Sequence, residues 1–209
     1  MNEQNIFITG ITGKIGRALI PRLDFSHYDI YALCRNTDYH FNQPLKIIKG
    51  NLSEPESYST VFHHNIHTVV HLGAVTHTGD PAEYYRINEE ATRKLIRLCE
   101  YHKINRFVFI STRSISDNGG DYSRSKLLAE THTINSSIDW VIIRLSEIYG
   151  ISENEGVDFI LNRIKKMPFV PVIGNGEYSI APLYISDAVS AINTIIEKDE
   201  IRNKIYTLA

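Results

Sequence analysis

Cysteine is scarce in this 209-residue sequence, and its two cysteines, Cys34 and Cys99, lie far apart and form no CxxC pair. We therefore expect no disulfide framework and predict two reduced thiols in a cytoplasmic protein. No apolar run reaches the roughly 18 residues that a membrane-spanning helix requires. The chain opens on polar residues rather than on an apolar segment, which predicts no secretory signal.

Neither sign of charge is in excess, because 22 lysines and arginines stand against 24 aspartates and glutamates. No basic stretch indicates a nucleic-acid surface, and no block of like charge indicates a tail. Five of the nine histidines crowd one region, at His63, His64, His67, His71 and His77. No carboxylate or cysteine completes a recognisable ligand spacing around them. We predict no metal site and neither a nucleic-acid nor a membrane partner.

What the sequence does contain is an alternation of strand-like and helix-like segments. Strands are predicted near 5–9, 28–34, 45–48, 67–72, 106–111 and 139–144, and helices near 14–23, 55–63, 81–102 and 122–136. Such alternation, with strands that are apolar along most of their length, is typical of a parallel sheet covered by helices on both faces. The length suits one α/β domain with a large core.

The pattern changes after residue 150. A helix is predicted over 156–166, then a loop region with Pro168, Pro171, Gly174 and Gly176, a short strand over 181–185, a helix over 188–198 and a last strand over 204–208. About 60 residues are thus left for a small C-terminal lobe.

Three glycines at a spacing of three follow the first strand, at Gly10, Gly13 and Gly16, and lead into a helix pattern. A Cβ in such a turn would block the approach of a pyrophosphate to backbone N–H groups, and the last glycine lets the helix pack on the strand. The positive end of the helix then faces the phosphates. A nucleotide site is the favoured interpretation over a structural turn.

A second group of residues is suited to proton transfer. Tyr122 and Lys126 lie four apart at the start of a predicted helix, so they share one face. An ammonium group near a phenol favours the phenolate and lowers a pKa that is about 10 in water. Ser111 and Thr112 end the preceding strand, at the sheet edge where ligands of open parallel sheets bind. A hydroxyl there can bind the same substrate oxygen that the tyrosine serves.

In sequence order, these motifs resemble the extended short-chain dehydrogenase/reductase family, the NAD(P)-dependent epimerase/dehydratase type. The matching segments are the GxxGxxG turn over 10–16, a "VVHLAA"-like strand over 69–74, Asn88 with its following Ala91-Thr92, an "FxxST"-like strand over 107–112, the YxxxK pair Tyr122 and Lys126, an "RPxxxYG"-like segment over 144–150 and an "xxxVxDxA"-like segment over 182–188. Two departures are visible. Only nine residues separate Thr112 from Tyr122, and Leu145 replaces the proline of RPxxxYG.

The resemblance implies a Rossmann-type doubly wound parallel sheet, with residues 1–150 as the NAD(P)-binding domain and 151–209 as a small C-terminal substrate lobe merged with it. It implies a catalytic set of Thr112, Tyr122 and Lys126, with Tyr122 as the acid/base and Lys126 lowering its pKa. Expected cofactor contacts are Gly10, Thr12, Gly13, Lys14, Ile15, Gly16, Arg35, Asn51, Leu52, Leu72, Gly73, Ala74, Asn88, Tyr122, Lys126 and Leu145. Expected substrate contacts are Thr76, His77, Thr112, Arg113 and Tyr122. A homodimer packed through the helices near 81–102 and 122–136 is also implied.

The end of the second strand bears on the choice of dinucleotide. An acidic residue about 20 residues past the glycine turn would hold the ribose hydroxyls of NAD. Arg35 stands there instead, and its planar guanidinium suits a phosphate monoester. This favours NADP, whereas Asp38 is near enough to keep NAD as the alternative.

Two functions stay open. The first is an NAD(P)-dependent oxidoreductase or epimerase that transfers hydride at a hydroxyl or keto carbon of a nucleotide sugar or related small carbonyl compound. The second is a non-catalytic NADP-binding redox sensor or scaffold protein.

Overall fold

The computed structural model describes residues 4–116, 118–151, 156–166, 175, 177 and 180–209. A seven-stranded parallel sheet forms its centre. The strands are β1 Gln4–Thr9, β2 Tyr28–Cys34, β3 Lys46–Lys49, β4 Ile66–His71, β5 Arg106–Thr112, β6 Asp139–Leu145 and β9 Lys204–Leu208, while β7 Ile148–Tyr149 and β8 Leu183–Tyr184 form a separate pair. The helices are α1 Lys14–Leu19, α2 Pro81–Tyr84, α3 Ala91–Tyr101, α4 Asp121–Ile134, α5 Gly156–Lys166 and α6 Ile185–Glu197.

The strand order is β3-β2-β1-β4-β5-β6-β9, so the chain proceeds outward from β1 in one direction and then in the other. This order confirms the predicted Rossmann-type doubly wound sheet. The order reverses between β1 and β4, and ligands of such sheets bind in the crevice at the carboxyl ends of the strands on either side of that point. The register brings Thr9, the last residue of β1, beside His71, the last residue of β4.

Alternating side chains of the buried strands fill two cores, one on each face of the sheet. In β5, Val108 and Ile110 join the core that includes residues of α1 and α6, whereas Phe107 and Phe109 join the core that includes residues of α3 and α4. A strand covered on both faces needs apolar residues at every position, which explains the continuous apolar runs of the sequence.

Two predicted helices differ from the structure. The segment predicted as a helix near 55–63 forms two 3₁₀ turns, Pro55–Ser57 and Ser59–His64, separated by Tyr58 at φ −135°. That backbone angle is outside the helical range, so the two turns do not merge. The long helix predicted over 81–102 contains a π-helical segment, Tyr85–Glu90, between α2 and α3. Such segments occur most often near functional sites.

The C-terminal part of the described chain contributes to the main sheet. α6 packs on α1, and β9 pairs with β6 along its whole length. The predicted strand over 181–185 shrinks to Leu183–Tyr184, because α6 begins at Ile185, three residues earlier than the sequence predicts. Pro168, Pro171, Gly174 and Gly176 lie outside the described residues. Within the described ranges, we find no helix with the length and apolarity needed to cross a membrane.

Candidate active site

Two glycines of the turn after β1, Gly10 and Gly16, allow neighbouring backbone segments to approach closely. Gly10 has φ +76°, and a Cβ built on it would lie 2.5 Å from the backbone nitrogen of Gly73. A Cβ on Gly16 would lie 2.5 Å from the Cα of Ile11, which clashes with the strand-to-helix turn. Both positions therefore require glycine, one for its conformation and both for the close approach of backbone segments.

Gly13, the middle glycine of the turn, does not require glycine for its backbone conformation. Gly13 is the N-cap of α1 with φ −72°, a conformation that alanine also adopts. A Cβ there would come no nearer than 3.2 Å to protein, at the carbonyl oxygen of Gly10. Gly13 also lines two adjoining cavities at the carboxyl ends of the strands, and a side chain at this position would reduce the space there.

A cleft runs along the carboxyl ends of the strands. Its larger cavity, of about 680 Å³, extends from the glycine turn to Thr112 and Tyr122, and a smaller one of about 230 Å³ extends toward Arg35 and Asn51. The two adjoin at four shared residues, Gly10, Gly13, Leu72 and Ala74. The predicted residues on the larger cavity's wall are Gly10, Gly13, Lys14, Ile15, Gly16, Leu72, Ala74, Thr76, His77, Thr112, Tyr122, Lys126 and Leu145; the smaller cavity adds Thr12, Arg35, Asn51, Leu52 and Gly73.

Thr112 and Tyr122 meet at the wall of the larger cavity. Burial raises the pKa of Tyr122 above its ordinary value of 10, and the neighbouring Thr112 hydroxyl offsets part of that rise. The carboxylate of Glu147 raises it further. The expected lowering by Lys126 is not found in this structure, and the reason is the position of the lysine.

The ammonium group of Lys126 is turned toward the sheet. Nζ donates a hydrogen bond to the carbonyl oxygen of Ile110 at 2.7 Å and lies 4.1 Å from the ring centroid of Phe109. The side chain is almost fully buried, and desolvation lowers the pKa of Lys126 to about 7, while Glu130 acts in the opposite direction. Lys126 is therefore close to its titration midpoint at neutral pH.

Glu130 lies one helical turn beyond Lys126 and is buried, with 1% of its side chain exposed. Arg144 of β6 neutralises it through two parallel contacts, Nη2 to Oε2 at 2.6 Å and Nε to Oε1 at 3.0 Å. This forked geometry is the strong form of an arginine–carboxylate pair. The pair joins α4 to β6 and holds the Glu130 carboxylate on the same helix face as Lys126.

The site's geometry agrees with a comparison of the whole sequence. The model of the NAD dependent epimerase/dehydratase family matches residues 6–209. The chain belongs to this family.

Two relatives and one solved structure illustrate the range of this family. The dTDP-D-glucose 4,6-dehydratase of Dictyostelium discoideum is 26% identical over 96% of this chain and 57% of its own length. The decarboxylating sterol-4-alpha-carboxylate 3-dehydrogenase of the same organism is 23% identical over 94% of this chain and 69% of its own. UDP-glucuronic acid 4-epimerase from Bacillus cereus, in complex with NAD, superposes with a TM-score of 0.80 at 20% identity, over 98% of this chain and 77% of its own. The chain thus spans 57% to 69% of the length of these two relatives.

Behind the glycine turn of this family member, a buried histidine links three segments. His71 Nε2 contacts Thr92 Oγ1 at 2.8 Å, and Thr92 donates its own hydroxyl proton to the carbonyl oxygen of Asn88. Thr92 therefore accepts from Nε2–H, and Nδ1 of His71 accepts from Thr9 Oγ1 at 2.6 Å. Thr9 in turn accepts from the N–H of Gly73 at 3.3 Å. Burial lowers the pKa of His71 to about 3, which keeps this neutral tautomer.

Asn88, an expected cofactor contact, does not line either cavity of the cleft. It is 1% exposed, and its amide forms two hydrogen bonds with the backbone of Val75, at 2.8 and 2.9 Å, and one with Ser125 at 3.2 Å. It thus lies beneath the loop that follows β4 and fixes that loop to α4. Its contribution to cofactor binding would be indirect.

Two other predicted residues have local roles. Asn51 lines the smaller cavity, but its amide donates to Glu54 and accepts from the N–H of Ser53, which closes a turn. The Arg113 side chain is exposed and lines neither cavity, and its backbone N–H donates to the carbonyl oxygen of Leu145 in β6.

Ser111, which the sequence placed beside Thr112 at the end of β5, lines the larger cavity. Two acidic side chains that sequence reasoning missed, Glu147 and Asp158, line it as well. Glu147 lies within the predicted "RPxxxYG"-like segment, and that match gave a signal for it. Asp158 accepts hydrogen bonds from the backbone of Gly150 and Ile151, a tertiary contact that no local pattern shows. Among the described residues, no three histidine, cysteine, aspartate or glutamate side chains are grouped as a metal site requires.

Proposed function

We propose that this protein is an NAD(P)-dependent oxidoreductase or epimerase, with Tyr122 as the acid/base at a hydroxyl or keto carbon of its substrate. The observation that carries the proposal is that Thr112 and Tyr122 lie together on the wall of a cleft that begins at the glycine turn. A proton donor and an anion cradle at opposite ends of one cleft are the arrangement that a dinucleotide-dependent carbonyl reaction needs.

The residues present fit a dinucleotide. Gly10 and Gly16 leave no room for a Cβ, because neighbouring backbone lies within 2.5 Å, and Gly13 lines both cavities without a side chain, as in the tight glycine turns that bind a diphosphate. Ser111 lines the larger cavity, and its buried hydroxyl oxygen has no hydrogen-bond partner among the described residues. A bound nicotinamide would supply the hydride acceptor or donor.

The chain's own residues would position and protonate the substrate oxygen. The raised pKa of Tyr122 keeps its phenol protonated at neutral pH, so it is ready to donate to a carbonyl oxygen. Thr112 holds the phenol and offers a second hydroxyl to the same oxygen. Lys126, with a pKa of about 7, would exchange its contact with the Ile110 carbonyl for a ribose hydroxyl of the cofactor.

We propose a nucleotide sugar or a related small carbonyl compound as the substrate. Support comes from the names of similar proteins, which include a dTDP-glucose dehydratase and a UDP-glucuronic acid epimerase. The sterol dehydrogenase among them shows that family members also act on substrates without a nucleotide. The substrate panel of the test below therefore includes both classes.

We propose NADP as the preferred dinucleotide. Arg35 is exposed immediately after β2 and lines the smaller cavity, and it lines a further cavity together with Lys49. Two cations at this place favour a 2′-phosphate. The solved relative in complex with NAD shows that the fold accommodates the other dinucleotide, so both are used in the test.

The test compares wild type with Tyr122→Phe and Thr112→Val. Binding of NADP and NAD is followed by fluorescence titration, and turnover is measured as absorbance of the reduced cofactor with a panel of UDP-sugars, dTDP-sugars and small ketones. We expect Tyr122→Phe to reduce kcat by about 10²–10⁴-fold and to leave the dinucleotide Kd within twofold.

Tyr39→Phe, at an exposed tyrosine outside both cavities, is the matched control and should keep wild-type turnover. Turnover that survives in Tyr122→Phe would remove the acid/base assignment. Dinucleotide binding with no turnover on any substrate would favour the redox sensor instead, and no dinucleotide binding would refute both functions.

A further inference from the structure

A second tyrosine packs against Tyr122. Tyr84, the last residue of α2, places its ring 5.8 Å from the ring of Tyr122, with an angle of 61° between the planes. This tilted, edge-to-face arrangement is favoured by the ring quadrupoles. It restricts the directions in which the Tyr122 side chain can turn.

The hydroxyl group of Tyr84 contacts a different part of the site. It donates a hydrogen bond to the carbonyl oxygen of Thr76 and accepts one from the N–H of Thr78, both at 3.3 Å. These two residues flank His77 in the loop after β4, and Thr76 and His77 line the larger cavity. One side chain therefore contacts both the tyrosine and the loop that face the same space.

Asn88 acts on the same loop from one helical turn further along. Its amide binds both backbone groups of Val75, and Asn88 itself lies within the π-helical segment Tyr85–Glu90, which begins directly after Tyr84. Residues four apart share one face of a helix, and here that face holds the loop over 75–78 by its main chain. A loop held by its backbone keeps its position whatever side chains it carries.

We propose that Tyr84 is a positioning residue with two separable effects. Its ring fixes Tyr122 against Thr112, and its hydroxyl fixes the substrate side of the cleft at Thr76 and Thr78. The inference rests on the proposed function, because it assigns Tyr84 a purpose through Tyr122.

Two variants separate the effects. Tyr84→Phe keeps the ring against Tyr122 and removes the hydrogen bonds to the loop. Tyr84→Leu removes both. Tyr101→Leu, at a tyrosine of α3 that is 81% exposed, is the matched control.

The first measurement is amide hydrogen exchange by mass spectrometry on the protein without cofactor. We expect Tyr84→Phe to accelerate exchange by about fivefold in the peptide covering 73–80, as the loss of about 1 kcal/mol of hydrogen bonding implies, and to leave the first two turns of α4 at the wild-type rate. Tyr84→Leu should accelerate amide exchange both in the peptide covering 73–80 and in the first two turns of α4. Wild-type rates in both peptides for Tyr84→Leu, or faster exchange throughout the central sheet in either variant, would overturn the inference.

The second measurement is steady-state kinetics on the substrate that wild type turns over. Tyr84→Phe should raise KM by about fivefold with kcat nearly unchanged, since it loosens the substrate loop. Tyr84→Leu should in addition lower kcat by about 10–100-fold, since it releases the acid/base. Equal kinetics in the two variants contradict the separation of ring and hydroxyl effects.

The two proposals fail in different ways. If Tyr122→Phe is inactive and Tyr84→Leu is fully active, only the role of Tyr84 is wrong. If Tyr122→Phe keeps wild-type turnover, the acid/base assignment is wrong, and the exchange rates still report whether Tyr84 holds the loop and α4.

Discussion

Nδ1 of His71 lies 2.6 Å from Oγ1 of Thr9, at the point where the last residues of β4 and β1 stand side by side. Thr9 immediately precedes Gly10, and it also accepts the N–H of Gly73. The neutral imidazole of His71 thus adds a side-chain link to the backbone pairing of β1 with β4 beneath the proposed diphosphate site. This side chain is fully buried, yet it helps to hold two segments that line the cleft.

The buried state of His71 predicts how stability depends on pH. The pKa of His71 is about 3 in the folded protein, against about 6.5 for an ordinary histidine, so the unfolded chain binds more protons between these values. The free energy of unfolding should therefore fall as pH decreases from about 6.5 toward 3, by up to about 1.4 kcal/mol per pH unit from this residue. Urea denaturation between pH 4.5 and 7 measures the slope.

His71→Asn should show a smaller slope than wild type over this range, and His40→Asn, at an exposed histidine, should show the wild-type slope. Since the variant leaves part of a buried hydrogen-bond network unpaired, it should also lose about 1–3 kcal/mol at pH 7. Identical slopes for wild type and His71→Asn would mean that the imidazole titrates normally.

The burial of Lys126 predicts a second pH dependence of stability, above pH 7. Its pKa is about 7 in the folded protein, against about 10.5 for an ordinary lysine, because burial disfavours the charged form. In this window the unfolded chain again binds more protons, so the free energy of unfolding should rise as pH increases from 7 to about 10. Lys126→Met removes the titrating group and should flatten that rise.

The control for this experiment is Lys103→Met, at an exposed lysine, which should keep the wild-type rise. Circular dichroism in urea at pH 7, 8, 9 and 10 measures the free energies. A rise of equal size in Lys126→Met would show that other groups cause it.

Substitution of two glycines of the turn should have two different outcomes. Gly16→Ala places a Cβ 2.5 Å from the backbone of Ile11, so we expect loss of folded protein or a stability loss of several kcal/mol. Gly13→Ala should stay folded, since its φ suits alanine, and should weaken dinucleotide binding by about tenfold or more through steric contact.

Gly79→Ala, where a Cβ meets nothing within 4 Å, is the control for both and should match wild type in melting temperature and dinucleotide Kd. Calorimetry and fluorescence titration make the comparison. Gly13→Ala with wild-type affinity would place the dinucleotide elsewhere.

Arg35 predicts a change in cofactor preference. Arg35→Ala should weaken NADP binding by about 10–100-fold, as the loss of a charged hydrogen bond of about 1.5–3 kcal/mol implies, and leave the NAD Kd nearly unchanged. Arg97→Ala, at an exposed arginine of α3, is the matched control. Titration of each variant with both dinucleotides measures the ratio, and tighter NAD than NADP binding by wild type would reverse the proposed preference.

Much of the fold follows from local patterns in the sequence. Apolar runs such as Arg106–Thr112 fit only a strand covered on both faces, and the Asp80-Pro81 start of a helix is a local signal that the structure confirms, with Asp80 accepting the N–H of Ala82. The glycine turn was predictable too, because the demand for a missing Cβ acts at single positions. The 3₁₀ turns over 55–64 were not, since one backbone angle at Tyr58 interrupts a helix-like pattern.

The sequence by itself determined the candidates for the chemistry, because the glycine spacing, the strand-end hydroxyls and the Tyr122/Lys126 pair are local and periodic. Only the tertiary structure decided what surrounds each of them. The ammonium group of Lys126 is buried and binds the Ile110 carbonyl, and the side chains of Tyr84 and Asn88 bind the backbone of the loop after β4. Desolvation and long-range hydrogen bonds depend on segments that are distant along the chain, so no local pattern records them.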